Sequence, residues 1–148
     1  MPTLHPLAIA LHVLFAASWF GLALALPALA RSVVSGGAPG ASRVMTMMNG
    51  SIVLFYAFAV LNWVLGMQIG FREQYNAWPY HTSITLGLVL VLVQLFVIRP
   101  AWNRMTGAAD ATATEAGRKR LAMGIGIGHG VWFVIFVLMY VGRGIVVG

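Results

Sequence analysis

PLAIALHVLFAASWFGLALALPALA, residues 6–30, runs without a formal charge. About 20 predominantly apolar residues suffice to cross the hydrocarbon core as a helix, so this stretch reads as a membrane span. Its Ala28-Leu29-Ala30 has the small-x-small form of a leader cleavage site. However, no basic segment precedes it, and the apolar run exceeds the ~7–15 residues of a leader. It is expected to be retained.

Three more such runs follow, at about 45–69, 80–98 and 121–141. Between the first two lies a turn-rich loop with Gly36, Gly37, Pro39 and Gly40. The second and third are joined by a short link carrying Arg72 and Glu73, with Tyr75 and Trp78 as interfacial aromatics. Arg99 and Pro100 are read as closing the third run, and a polar connection over 101–120 leads to the fourth. Strand alternation is absent, and open strands would leave backbone groups unpaired in lipid. The expected fold is all-α: one domain (1–148), a four-helix up-down transmembrane bundle.

Composition agrees. Sixty per cent of the 148 residues are hydrophobic, only 8% are charged, and mean hydropathy is +0.88. A small water-soluble domain needs about a quarter of its residues charged, so lipid must solvate most of this surface. The net charge of +6 does not indicate nucleic acid, because the basic residues are scattered over loops and form no basic helix face. Arg31, Arg43, Arg99, Arg104, Arg118, Lys119 and Arg120 fall in two of the loops; only Arg72 and Arg143 fall on the other side. By the positive-inside rule, both termini are expected outside the plasma (inner) membrane.

With no cysteine, thiolate metal sites and iron–sulfur clusters are excluded. The three carboxylates, Glu73, Asp110 and Glu115, all lie outside the apolar runs. Carboxylate acid–base pairs and Ser/His/Asp triads are therefore unavailable within the spans, and no phosphate loop is present.

Histidines carry the chemical signal, since an ionisable group inside a span is costly and calls for a partner. Counted from Arg31 and Arg99, His12 and His81 lie 19 and 18 residues in, about 27–29 Å from the cytoplasmic interface. Diagonal helices in such a bundle stand roughly 11–14 Å apart, which suits two imidazoles flanking a flat metal-centred macrocycle. His129, nine residues beyond Arg120, falls near mid-membrane; it would ligate a second cofactor, relay a proton, or hydrogen-bond Asn62, Ser18 or a carbonyl. His5, His12 and Trp19 recur at seven-residue spacing along one stripe of the first helix.

The fourth run opens Gly124-Ile125-Gly126-Ile127-Gly128-His129-Gly130, two overlapping small-xxx-small pairs. They serve close helix packing, make room for a flat ligand beside His129 through Gly126 and Gly130, or seat a second copy in a homodimer. Met67, near the outer end, would add a thioether to His5, His12 and His81 if copper were the metal; Met45, Met47 and Met48 lie at the far end.

His12 followed by Trp19-Phe20 and Pro27, together with Trp78-Pro79-Tyr80-His81, resembles the HemJ-type protoporphyrinogen oxidases and, more loosely, the CopD-like four-helix membrane proteins. These residues cover about a quarter of the chain. The resemblance implies a small bundle binding haem b, with His12 matching the family's essential first-helix histidine, and an outward N-terminus.

The sequence therefore sets up a membrane b-type haem protein, holding one or two haems, in electron transfer or oxidoreduction near the outer face. His12 and His81 are the expected axial ligands, with a quinone or a redox protein as partner. The alternatives are copper handling of the CopD-like kind and a structural subunit of a respiratory complex.

Overall fold

The computed structural model describes residues 4–36, 40–108 and 110–147, with side chains through residue 142. The elements are α1 (Leu4–Val34), α2 (Ala41–Gln68), the single turn α3 (Arg72–Tyr75), α4 (Trp78–Val93), a π-helical stretch (Gln94–Ile98), α5 (Arg99–Thr106) and α6 (Ala111–Val147). No strand occurs among the described residues. Since α4, the π stretch and α5 are continuous, four helices are long and apolar enough to span a membrane: Leu4–Val34, Ala41–Gln68, Trp78–Thr106 and Ala111–Gly142.

The helices outrun the apolar segments that announce them. Hydropathy marks where lipid ends, whereas a helix ends where its backbone hydrogen bonds do. Asp110 Oδ1 accepts from the Ala113 amide at 2.7 Å, a side-chain cap that starts α6 well before Leu121. The Arg99-Pro100 pair does not stop the third span. Pro100 follows directly on the π stretch, where the regular i→i−4 ladder is already interrupted, so the helix runs on through a residue without an N–H. At the first connection, Gly40 takes a φ of 93°, which favours glycine; Gly37 and Pro39 lie outside the described residues.

α1 packs along α2 and α4 along α6, while α2 with α4 and α1 with α6 close the ring over shorter contacts. The first and third spans are thus diagonal. His5 reaches the 69–77 link and Gly142 meets Pro79 and Tyr80, so both terminal helix ends share one end of the bundle. The seven basic residues of the other two connections are exposed at the opposite end.

Tight packing occupies the middle and the basic end. Trp19, Leu26, Met48, Ile52, Leu90 and Ile98 are fully buried. Lipid tails are as apolar as these side chains, so van der Waals fit and buried hydrogen bonds hold the helices together. Gly124 and Gly128 permit that fit: a Cβ would stand 2.9 Å from Ile98 Cγ1 at the first and 2.8 Å from the Trp19 ring at the second. Gly126 and Gly130 face open space on the outside of the bundle. One of the two small-residue pairs therefore packs this bundle, and the other is turned to lipid.

A buried polar network ties three spans across the core. The Trp19 indole N–H donates to Gln94 Oε1 at 2.9 Å, and Gln94 Nε2 donates to Asn49 Oδ1 at 2.8 Å. Gln94 is wholly buried and opens the π stretch.

Candidate functional site: a cavity at the terminal end of the bundle

Toward the terminal end the four spans separate around a cavity of about 1250 Å³. The faces are legible residue by residue. Tyr80, Ser83, Ile84 and Gly87 line it from α4 at the one-face spacing of a helix, and Phe55, Ala59 and Asn62 do so from α2. α1 contributes His5, Ile9, His12 and Ala16; α6 contributes Trp132, Ile135, Phe136 and Met139. The volume exceeds the ~300–1,000 Å³ usual for drug-sized ligands, and the lining follows the usual mostly apolar, aromatic-rich pattern with few polar groups.

The link after α2 covers the cavity. Gly70, at φ 95°, turns the chain back, and α3 brings Tyr75 onto the bundle. Tyr75 lies over Gly66, where any Cβ would collide with its ring. The Trp63 indole N–H donates to the Tyr75 carbonyl at 3.1 Å, and Gln74 Nε2 donates to the Tyr80 hydroxyl at 2.7 Å. Tyr75 Oη and His5 Nε2 share a hydrogen bond at 2.9 Å, while Phe71 stacks on the imidazole. Burial, with a smaller contribution from Tyr80, raises the Tyr75 phenol above its ordinary value, so this group is a neutral hydroxyl across the physiological range.

His12 stands deeper in the cavity wall. Its Nδ1–H donates to the Phe55 carbonyl at 3.1 Å, and its ring stacks on Phe55 with centroids 4.7 Å apart. The carbonyl only accepts, so it fixes the proton on Nδ1 and leaves Nε2 with a lone pair and no hydrogen-bond partner among the described residues. A metal-ligating histidine is normally prepared in this way, by a second-shell acceptor on its other nitrogen.

The remaining sequence candidates lie elsewhere. His81 is exposed, hydrogen-bonded through Nε2 to Asn76 Oδ1 at 3.2 Å, with its ring edge-on to Trp63; it does not line the cavity. His129 is boxed by Trp19 and Phe20, with centroids at 6.2 and 4.9 Å, and its Nε2 is buried without a partner. Neither Asn62 nor Ser18 serves it: Asn62 Oδ1 is itself unpartnered, and Ser18 donates to the Leu14 carbonyl. Trp19 belongs to the core network, and Gly126 and Gly130 face outward. Met67 is half-buried and off the cavity. Among the described residues no three His, Asp or Glu side chains gather as a metal cluster.

Gln74 and Ser83 line the cavity without having stood out in the sequence, while Tyr75, expected as an interfacial aromatic, and Asn62, expected as a partner of His129, line it as well. The signal for Asn62 and Ser83 was present, since each is a polar residue inside an apolar run, but neither is ionisable. The chain matches no protein-family model, no curated protein and no solved structure.

Proposed function

We propose that this chain is a multi-pass membrane haem b protein that carries out oxidoreduction, with His12 as the residue that would hold the iron and the cavity as the haem chamber. The observation that carries the reading is His12: an imidazole on the wall of a large apolar cavity, with one nitrogen committed to the Phe55 carbonyl and the other uncommitted. Flanking aromatic side chains, Phe55, Trp63, Trp132 and Phe136, suit a flat macrocycle, and the cavity of about 1250 Å³ among four spans has the volume for one.

When bound, haem would supply a redox-active iron held by the His12 imidazole. The chain's own residues bind and orient. Phe55 fixes the His12 ring, and the Tyr75–His5 and Gln74–Tyr80 pairs close the chamber at the terminal end. In this reading His81 is not the second ligand, because it is exposed, packs edge-on to Trp63 and does not line the chamber. The bias of seven basic residues against two supports a plasma-membrane orientation with both termini, and hence the chamber, toward the outside.

The test is the visible spectrum of protein purified in detergent from haem-replete cells, before and after dithionite. A Soret band that shifts when carbon monoxide is added to the reduced protein, is lost in His12→Ala and survives in His81→Ala is the expected result. Absence of the band in the wild type ends the haem reading.

A further inference from the structure

The cavity has a side as well as an end. Ile9 and Val13 of α1 and Phe136 and Tyr140 of α6 line it, yet they are 39%, 58%, 57% and 78% exposed on the bundle surface. Side chains that face both the cavity and the surroundings stand at a mouth. The two helices that carry them make only short contact. The ring contacts that join them, Phe20 with Trp132 at 4.4 Å and with His129 at 4.9 Å, lie one to two turns nearer the basic end.

Depth puts this mouth in the bilayer. Val13 and Ile9 lie 18 and 22 residues from Arg31, and Phe136 and Tyr140 lie 16 and 20 from Arg120. At 1.5 Å per residue these are about 24–33 Å from the basic end, against about 30 Å for the hydrocarbon core. The mouth therefore straddles the far edge of the hydrocarbon, where tails give way to head groups. None of its four residues is charged, so an ion entering here would give up its hydration for nothing. Behind the mouth stand Phe55, Trp63 and Trp132, whose flat faces favour a ring over a bare chain. The volume of about 1250 Å³ exceeds the ~1,000 Å³ upper range of drug-sized pockets, which leaves room beside a macrocycle.

We infer that the cavity receives an uncharged aromatic ring on an apolar tail, taken from the bilayer through the mouth between α1 and α6. The ring lies among the aromatic side chains, and the tail stays in the hydrocarbon beside Val13 and Phe136. This rests on the haem reading only in naming the class of its substrate; the binding itself does not require the haem.

Proteoliposomes carrying a photoactivatable phenyldiazirine with a decyl tail test this, with the labelled residues mapped by mass spectrometry. The helix order puts α2 and α4 across the cavity from the mouth, so Ala59 and Ile84 report entry. Phe133 of α6, exposed and off the cavity, reports contact with lipid alone. Label at Ala59 and Ile84 should saturate with probe, while label at Phe133 rises in proportion to it. Val13→Trp fills the mouth from an exposed position and should cut the far-wall label several-fold, as should Ile9→Trp. Leu24→Trp, equally exposed on the same helix but off the cavity, should leave it unchanged. Melting temperatures matched among these variants separate a closed mouth from a lost fold. Far-wall label that is absent, or that persists undiminished in both mouth variants, would overturn the side entry. Excess decylphenol should displace the far-wall label; displacement by decanol at the same concentration would overturn the assignment to a ring. Spectra of the same samples keep the two readings apart. Saturable far-wall label without a Soret band removes only the haem, and a Soret band with label on the lipid face alone removes only this site.

Discussion

The Trp19 indole N–H and the Gln94 carboxamide oxygen meet 2.9 Å apart in the packed core, linking the first span to the third across the diagonal of the bundle. Gln94 passes the connection on to Asn49 of the second span at 2.8 Å, with Met45 Sδ at 3.5 Å from the same nitrogen. In an interior where apolar contacts exert little net drive, this chain of bonds fixes how the spans are rotated against one another.

Replacing Gln94 by Leu strands the Trp19 N–H and the Asn49 carbonyl together. The loss should be about 1–3 kcal/mol, the scale of an unmade buried hydrogen bond. Thermal unfolding in detergent measures it, and combining Gln94→Leu with Trp19→Phe should cost less than the two single losses added.

The two glycine ridges of α6 should respond oppositely to alanine. Gly128→Ala drives a methyl into the Trp19 ring, 2.8 Å away, and should lower the melting temperature clearly. Gly126→Ala meets nothing within 4 Å and should gain up to about 1 kcal/mol from helix propensity. A marked loss in Gly126→Ala, appearing only at concentrations where the protein self-associates, would identify the outward ridge as a contact between copies.

Tyr75 gives the fold a dependence on alkaline pH. Its proton is held more tightly in the folded state, with the phenol raised above 10.0, so the contribution is complete below that value. Stability should fall as pH rises past 10 and go on falling until the folded phenol itself ionises. Tyr75→Phe should flatten this part of the profile while costing the bond to His5 at every lower pH.

The absence of cysteine makes orientation directly measurable. In intact cells, Asn76→Cys should react with a membrane-impermeant maleimide, and Asn103→Cys should react only after permeabilisation. The reverse pattern would invert the proposed orientation and place the cavity on the cytoplasmic side.

How much of this was legible in the residues depends on what one-dimensional spacing encodes. Four spans follow from hydropathy, and His12 stands out as an ionisable group inside one of them. Depth is also readable, but rotation about the helix axis is not. His81 sits at the depth of His12, yet it falls about 100° around α4 from the face formed by Tyr80, Ser83, Ile84 and Gly87, and so turns to Trp63 and Asn76. Trp19 departs for a related reason. Each seven-residue step rotates about 20° on a straight helix, and two steps from His5 carry it off the cavity stripe and into the core. The cap at Asp110 was readable, since an aspartate before a run of helix formers is a start signal, but it was outweighed by the polarity of the segment after it. The covering role of Tyr75 was not readable, because it depends on Gly66 and Gly70 bringing a single helical turn back over the bundle.

Where the first and last spans make only short contact, Ile9 and Val13 of α1 and Phe136 and Tyr140 of α6 line the cavity and are also exposed, so it borders on lipid there, which changes the concentration it senses. A site that fills from the side equilibrates with the mole fraction of ligand in the bilayer, and water is not part of the path. The membrane concentrates an apolar molecule many-fold before it reaches Ile9 and Phe136. A modest intrinsic affinity can then keep the site filled, while the same molecule released on the aqueous side would scarcely compete. Occupancy would follow the composition of the lipid around the protein, so that the membrane itself sets the working range of the site.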